Sequence, residues 1–135
     1  MKAIRKALID RLTADTTLTA MATGTRIYDT QAPPETALPY LIVQFMGGGV
    51  RPITPRRKMD LVFVVKTVSK GPNAAASWDI IDRVDYLLDN HALAVTGYTT
   101  YWLKRESPDI NYIESACGDV YRHVGTTFRL RMSKD

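Results

Sequence analysis

The sequence predicts an α+β fold, a mostly antiparallel sheet of four to five strands with two helices packed on one face. Three observations carry this. The periodic segments run helix, strand, strand, strand, helix, strand, strand. Strands joined by short connections favour antiparallel pairing. Each helical segment has a single apolar stripe, so each needs one surface to cover. At 135 residues the chain fits one domain, 1–135, large enough to bury roughly two-thirds of the surface it exposes when unfolded.

Ile4, Ala7, Leu8 and Leu12 recur at helical spacing over residues 2 to 13, with Lys2, Arg5, Lys6 and Arg11 largely off that stripe. Asp15 suits the cap of a further short turn carrying Leu18 and Met21, and Gly24 ends helical structure before a short strand at Arg26-Ile27-Tyr28. Pro33, Pro34 and Pro39 fix φ and lack an amide proton, so regular pairing resumes from Tyr40 through Phe45. The stretch from Arg26 to Phe45 therefore reads as the edge-forming framework of the sheet.

Gly47-Gly48-Gly49, Pro52 and Pro55 do not suit a central ladder, so residues 47–58 read as a long loop between two strands. Met59 to Val68 is apolar on both faces through its middle, as befits a central strand, and Val62, Val64 or Phe63 should leave apolar groups on the face away from the helices. From Ala74 to Leu88, Trp78, Ile81, Val84 and Leu88 form the buried stripe of the second helix, widened by Ile80 and Leu87. Asn90-His91 ends it, and Ala92 to Val95 adds a brief strand or turn. Tyr98 to Glu106 is rich in strand-favouring residues. Val120 to Met132 alternates, with Val120, Val124, Thr126, Phe128, Leu130 and Met132 on one face and Tyr121, His123, Thr127, Arg129 and Arg131 on the other. Arg122 is the exception on the apolar face. Ser107 to Asp119 is polar and contains Pro108 and Gly118, which suits a long hairpin connection or an insertion.

Hydrophobic residues at 45% and charged residues at 24% are a globular composition. No apolar run approaches the ~20 residues of a membrane-spanning helix, and charges within MKAIRKALIDRL interrupt any secretory signal. A single Cys117 cannot form an intrachain disulfide or a thiolate metal site, which suits a reducing compartment. The net charge of +4 permits weak attraction to anions without requiring a nucleic-acid partner.

Catalytic chemistry finds little footing. His91 follows a helix end and His123 lies on an outward strand face, so each reads as a surface or turn residue; Ser115-Ala116-Cys117-Gly118 matches no nucleophile motif. Asp79, Asp82, Asp85 and Asp89 recur at helical spacing, but a helical pair of carboxylates supplies too few oxygens for a divalent ion, and a solvated acidic face is the simpler reading. Gly47-Gly48-Gly49 lacks the lysine and hydroxyl of a phosphate-binding loop. No catalytic, cofactor or metal residue is assigned. The one functional cluster is Arg51, Arg56, Arg57 and Lys58, four cations in the 47–58 loop, suited to an acidic protein surface or to phosphates and otherwise a solvated, solubilising loop.

Several pieces together carry a resemblance: the N-terminal helix ending in Leu12-Thr13-Ala14-Asp15, then Leu18, Gly24-Thr25-Arg26-Ile27-Tyr28, Ala32-Pro33 and Leu38-Pro39-Tyr40. A strand ending near Lys66, a helix at 74 to 89 and a closing Tyr121-Arg122 strand complete it. Over nearly its full length the chain resembles the tail-completion or tail-terminator proteins of long-tailed bacteriophages. The resemblance implies a structural virion protein of the tail or neck, assembled in the host cytoplasm, without enzymatic activity or cofactor. It implies self-assembly into a ring, typically a hexamer, that caps the tail tube and meets the head-side connector or stopper, with the 47–58 loop reaching a neighbouring subunit or the tube. The alternatives are a neighbouring neck or head-tail joining component, or a small basic nucleic-acid-binding module; within the ring, the loop cations could also contact DNA passing through the lumen, without specificity. No membrane partner is implied.

Overall fold

The computed structural model describes residues 2–21, 23–52, 57–71 and 75–135, with side chains at 49–57, 107 and 108 outside that description. Helices α1 (Lys2–Thr13) and α2 (Thr16–Thr19) lead into strands β1 (Ile27–Asp29), β2 (Tyr40–Pro52) and β3 (Arg57–Lys70); α3 (Ala75–Leu88) and strands β4 (Tyr98–Ala116) and β5 (Asp119–Lys134) follow. The strands form one sheet in the order β1-β2-β3-β5-β4. β1 runs parallel to β2 and every other neighbour is antiparallel. The α+β class and the mostly antiparallel sheet are as the sequence predicts, but the counts differ. The turn after Asp15 is a third, one-turn helix, and an isolated bridge between Val95 and Tyr98 adds a paired segment to the five strands.

Two helical caps follow from local chemistry. Asp15 starts α2 by accepting the Leu18 amide proton at 2.8 Å. Asn90, beyond the end of α3, adopts a left-handed conformation with φ of 59°. The parallel β1–β2 pair departs from the antiparallel expectation because the proline-bearing connection between Thr30 and Pro39, which includes a cis Leu38–Pro39 bond, returns the chain to the start of β1. Ile27 lies beside Leu41 and Asp29 beside Val43, and β1 ends there.

The core lies between the sheet and its helices. Ile4, Leu8 and Leu12 of α1, Leu18 of α2, and Ile80, Ile81, Val84 and Leu88 of α3 are buried against Leu41, Phe63, Val65, Phe128 and Leu130 of the sheet. Phe45, Phe63 and Phe128 stack across three adjacent strands with ring centroids 5.4 Å apart at both contacts. Phe63 thus faces the helices, correcting its expected place on the opposite face. Val62 and Val64 do lie on that face, but Val64 is only 3% exposed, and Asp60, Lys66, Glu106 and Arg129 share its surface. The centre of this second face is a charged network over small apolar groups rather than a bare apolar sheet.

The largest correction concerns residues 47–58. β2 continues through Gly47, Gly48 and Gly49 to Pro52, opposite Val62, Leu61, Asp60 and Arg57. Glycine and proline are tolerated because β2 is an edge strand there: β1 covers only Leu41 to Val43, so an amide lost on the outer side breaks no ladder bond. Gly48, at φ 148°, also brings its backbone so close to β3 that an added Cβ would lie 2.5 Å from the Asp60 carbonyl oxygen. The connecting segment shrinks to residues 53–56, which lie outside the described residues. Ser107 to Ala116 is likewise strand, set off from Tyr98–Glu106 by an irregularity between Glu106 and Ile110. The molecule therefore carries two hairpin arms, at opposite ends of the sheet.

Candidate functional site

Three of the sequence-predicted cations, Arg51, Arg57 and Lys58, lie on the described end of the β2–β3 arm. Arg51 is in register with Lys58, and Pro52 with Arg57, so three of the four cations occupy the last two rungs of the hairpin. Arg56 and the side chains of Arg51 and Arg57 lie outside the described residues. Lys58 is exposed, its ammonium 5.9 Å from the Tyr101 ring centroid. Like charges directly opposite one another in a ladder are destabilising. No acidic residue occurs between Met46 and Met59 to relieve them. Asp60, the nearest carboxylate in sequence after the arm, is taken by Arg129 at 3.0 Å and Arg131 at 3.5 Å. The charges of residues 47–58 are therefore all positive.

Beside it, on the sheet face away from the helices, lies a network the sequence showed only in part. Arg129 donates to Glu106 at 2.7 Å and to both oxygens of Asp60 at 3.0 Å, and the bond to Glu106 is the foremost cause that raises the Arg129 pKa. Trp102, 37% exposed, has the Lys104 ammonium 4.4 Å and the Arg131 guanidinium 5.3 Å from its ring centroid. Strand alternation places Arg129 and Arg131 on one face; their partners on β3 and β4 are fixed by register, which alternation does not reveal.

At the other end of the same face His123 is buried, at 7% exposure, correcting its reading as a surface or turn residue. Its ring stacks on Tyr112 at 4.3 Å and its Nε2 lies 2.9 Å from Glu114 Oε2. Burial pushes the His123 pKa down, with Lys66 acting the same way and Glu114 opposing, so the ring is neutral near pH 7 and Nε2–H donates to Glu114. His91 keeps its turn position, with Nδ1 2.8 Å from the Asp89 carbonyl oxygen. Cys117 is exposed in the two-residue turn of the β4–β5 hairpin, where Cys117 and Gly118 take φ of 50° and 81°.

The acidic ladder of α3 divides. Asp85 accepts from the Arg105 guanidinium at 3.0 Å and Asp89 from the Arg105 amide at 2.8 Å, which ties the end of α3 to β4. Asp79 and Asp82 remain exposed on the helix surface. Among the described residues no three His, Cys, Asp or Glu side chains come together as a metal site, and no described helix is long and apolar enough to cross a membrane. What the geometry offers is surface for contact: one cationic arm, one aromatic and charged sheet face, and free strand edges.

Comparison with known proteins agrees with a contact role. A chain in the solved structure of the virion of a native gene transfer agent particle is 20% identical, with a TM-score of 0.75 over 98% of this chain and 96% of that one. A second solved chain is 17% identical, with a TM-score of 0.62 over 96% of this chain and 94% of the other. At those identities the likeness is one of fold. No curated protein sequence matches significantly. The sequence profile described as tail completion protein gp17 matches residues 6–133. The chain therefore belongs to the tail completion protein gp17 family and is a structural component of a phage-type tail.

Proposed function

We propose that this protein assembles into a ring, with six copies as the expected size, that caps the finished tail tube and joins it to the head-side connector. The single observation that carries the reading is the β2–β3 arm, where Arg51 faces Lys58 at the tip of an edge hairpin with no acidic residue from Met46 to Met59. A hairpin end whose charges are all positive suits contact with a surface of the opposite sign. Family membership supports a tail component as that partner. The test is tube growth. Purified protein added to polymerising tail-tube protein from the same particle should arrest tube length and appear as a ring at one end. Binding to the head-side connector alone, with tube growth unaffected, would instead make it a neighbouring neck component.

A further inference from the structure

We propose that the acidic β4–β5 arm of one copy docks on the basic β2–β3 arm of the next, adding the free edge of β4 to the free edge of β2. The inference rests on the ring reading and names the surfaces that would build it.

Both edges are open. β1 closes the outer side of β2 only as far as Val43, whose carbonyl oxygen accepts the Thr30 amide at 2.8 Å. The outer side of β4 is closed as far as Arg105, where Asn90 N–H reaches the Leu103 carbonyl oxygen and Arg105 N–H reaches Asp89, each at 2.8 Å. Beyond Glu106, no strand among the described residues pairs with the outer edge of β4. A long unpaired edge is a template for another strand, and here exposed apolar groups accompany it: Ile113 at 55% and Val120 at 40% on the β4–β5 arm, and Met46 at 61% at the root of the β2–β3 arm.

The arms are opposite in charge. Asp109, Glu114 and Asp119 are the only charged residues between Glu106 and Tyr121, whereas every charged residue between Met46 and Met59 is a cation. The three carboxylates have intrachain partners in Arg105, His123 and Lys70, yet their side chains stay 41%, 57% and 44% exposed. The Asp109 and Asp119 pairs are surface ion pairs that contribute little, and Glu114 accepts only a hydrogen bond from neutral His123, so the carboxylates remain available to an incoming cationic strand. On the receiving side, Gly47, Gly48 and Gly49 present backbone without side chains.

The arms also fit in direction. In the order β1-β2-β3-β5-β4, β2 and β4 run oppositely, so β4 of one sheet set beside β2 of another makes an antiparallel pair. The free part of β2 lies towards Pro52, at the end of the sheet where Arg57 meets Lys134; the free part of β4 lies at the other end, where Lys70 meets Tyr121. Joining them staggers successive sheets along the strands. Stagger is what a sheet needs to close around an axis, and a head-to-tail contact repeated by rotation makes a ring.

The test uses two charge-reversed full-length chains, Arg51→Glu/Arg57→Glu/Lys58→Glu and Asp109→Lys/Glu114→Lys/Asp119→Lys, measured by sedimentation and native mass. Each alone should self-associate at least tenfold more weakly than the wild type while melting cooperatively. Their equimolar mixture should restore oligomers containing both chains, because each reversed arm then meets its opposite. If the acidic-arm triple variant fails to fold, Asp109→Lys/Asp119→Lys, which leaves the Glu114–His123 contact intact, takes its place. Wild-type rings that persist in either folded variant, or a mixture that stays dissociated, would overturn the arm contact and leave the ring standing. A wild-type chain that stays monomeric at low salt and high concentration would overturn both.

Discussion

Asp15 shows how much one side chain can hold. It caps α2 through the Leu18 amide and receives two bonds from Arg83 of α3, at 2.9 and 2.8 Å, so it ties α2 to α3. The bond from Arg83 is the foremost cause that holds its carboxyl below the ordinary 3.8, against the opposing effect of burial. A depressed folded pKa contributes stability that is present above the unfolded value and is lost as pH falls through the folded one. Asp15→Ala should therefore cost about 1 kcal/mol at pH 7, and the difference from wild type should narrow below pH 3.8, as read by urea unfolding at both pH values. An equal difference at both would separate the loss from ionisation. The cap was legible in the sequence because it is local; Arg83, far along the chain, was not. Gly125 was passed over for a similar reason. It lies within an alternating strand, but an added Cβ would sit 2.5 Å from the Val65 carbonyl oxygen and 2.6 Å from Lys66 Cβ. Gly125→Ala should cost about 1–3 kcal/mol by thermal unfolding, since backbone must move to accept it.

At the scale of elements, periodicity was the reliable guide and punctuation was not. The stripes of α1 and α3 and the two faces of β5 follow from residue spacing, and the structure buries Leu8, Ile81, Phe128 and Leu130 accordingly. Glycine and proline misled at 47–52 because their cost depends on whether a strand is central or at an edge, which is a property of the sheet. Pro108 and the polar run after it misled in the same way, in a strand whose outer side has no strand partner among the described residues beyond Glu106. The arm is separable from the core by this account. Replacing Arg51 to Lys58 with Asn-Gly would close the hairpin between Val50 and Met59, which are already partners, with the turn best matched to strand twist. The shortened protein should melt within a few degrees of wild type and fail to form rings. Rings of normal size from it would remove the arm from the assembly surface.

For the whole molecule, the class of fold was readable from element order, but the sheet order was not. The parallel β1–β2 pair and the insertion of β5 between β3 and β4 decide which edges stay open, and both arise from long-range pairing. The four-cation cluster was legible as composition; the placement of Arg51, Arg57 and Lys58 on an arm at the opposite end of the sheet from an acidic arm was not. Both the ring and the arm contact proposed within it depend on copies of this chain assembling with one another. Native mass spectrometry of the purified wild-type chain at low salt tests this most directly. The account predicts a closed ring, about 91 kDa for six copies of 15.1 kDa, that dissociates as salt screens its charged contacts. A 15.1 kDa monomer at every concentration and salt would contradict it.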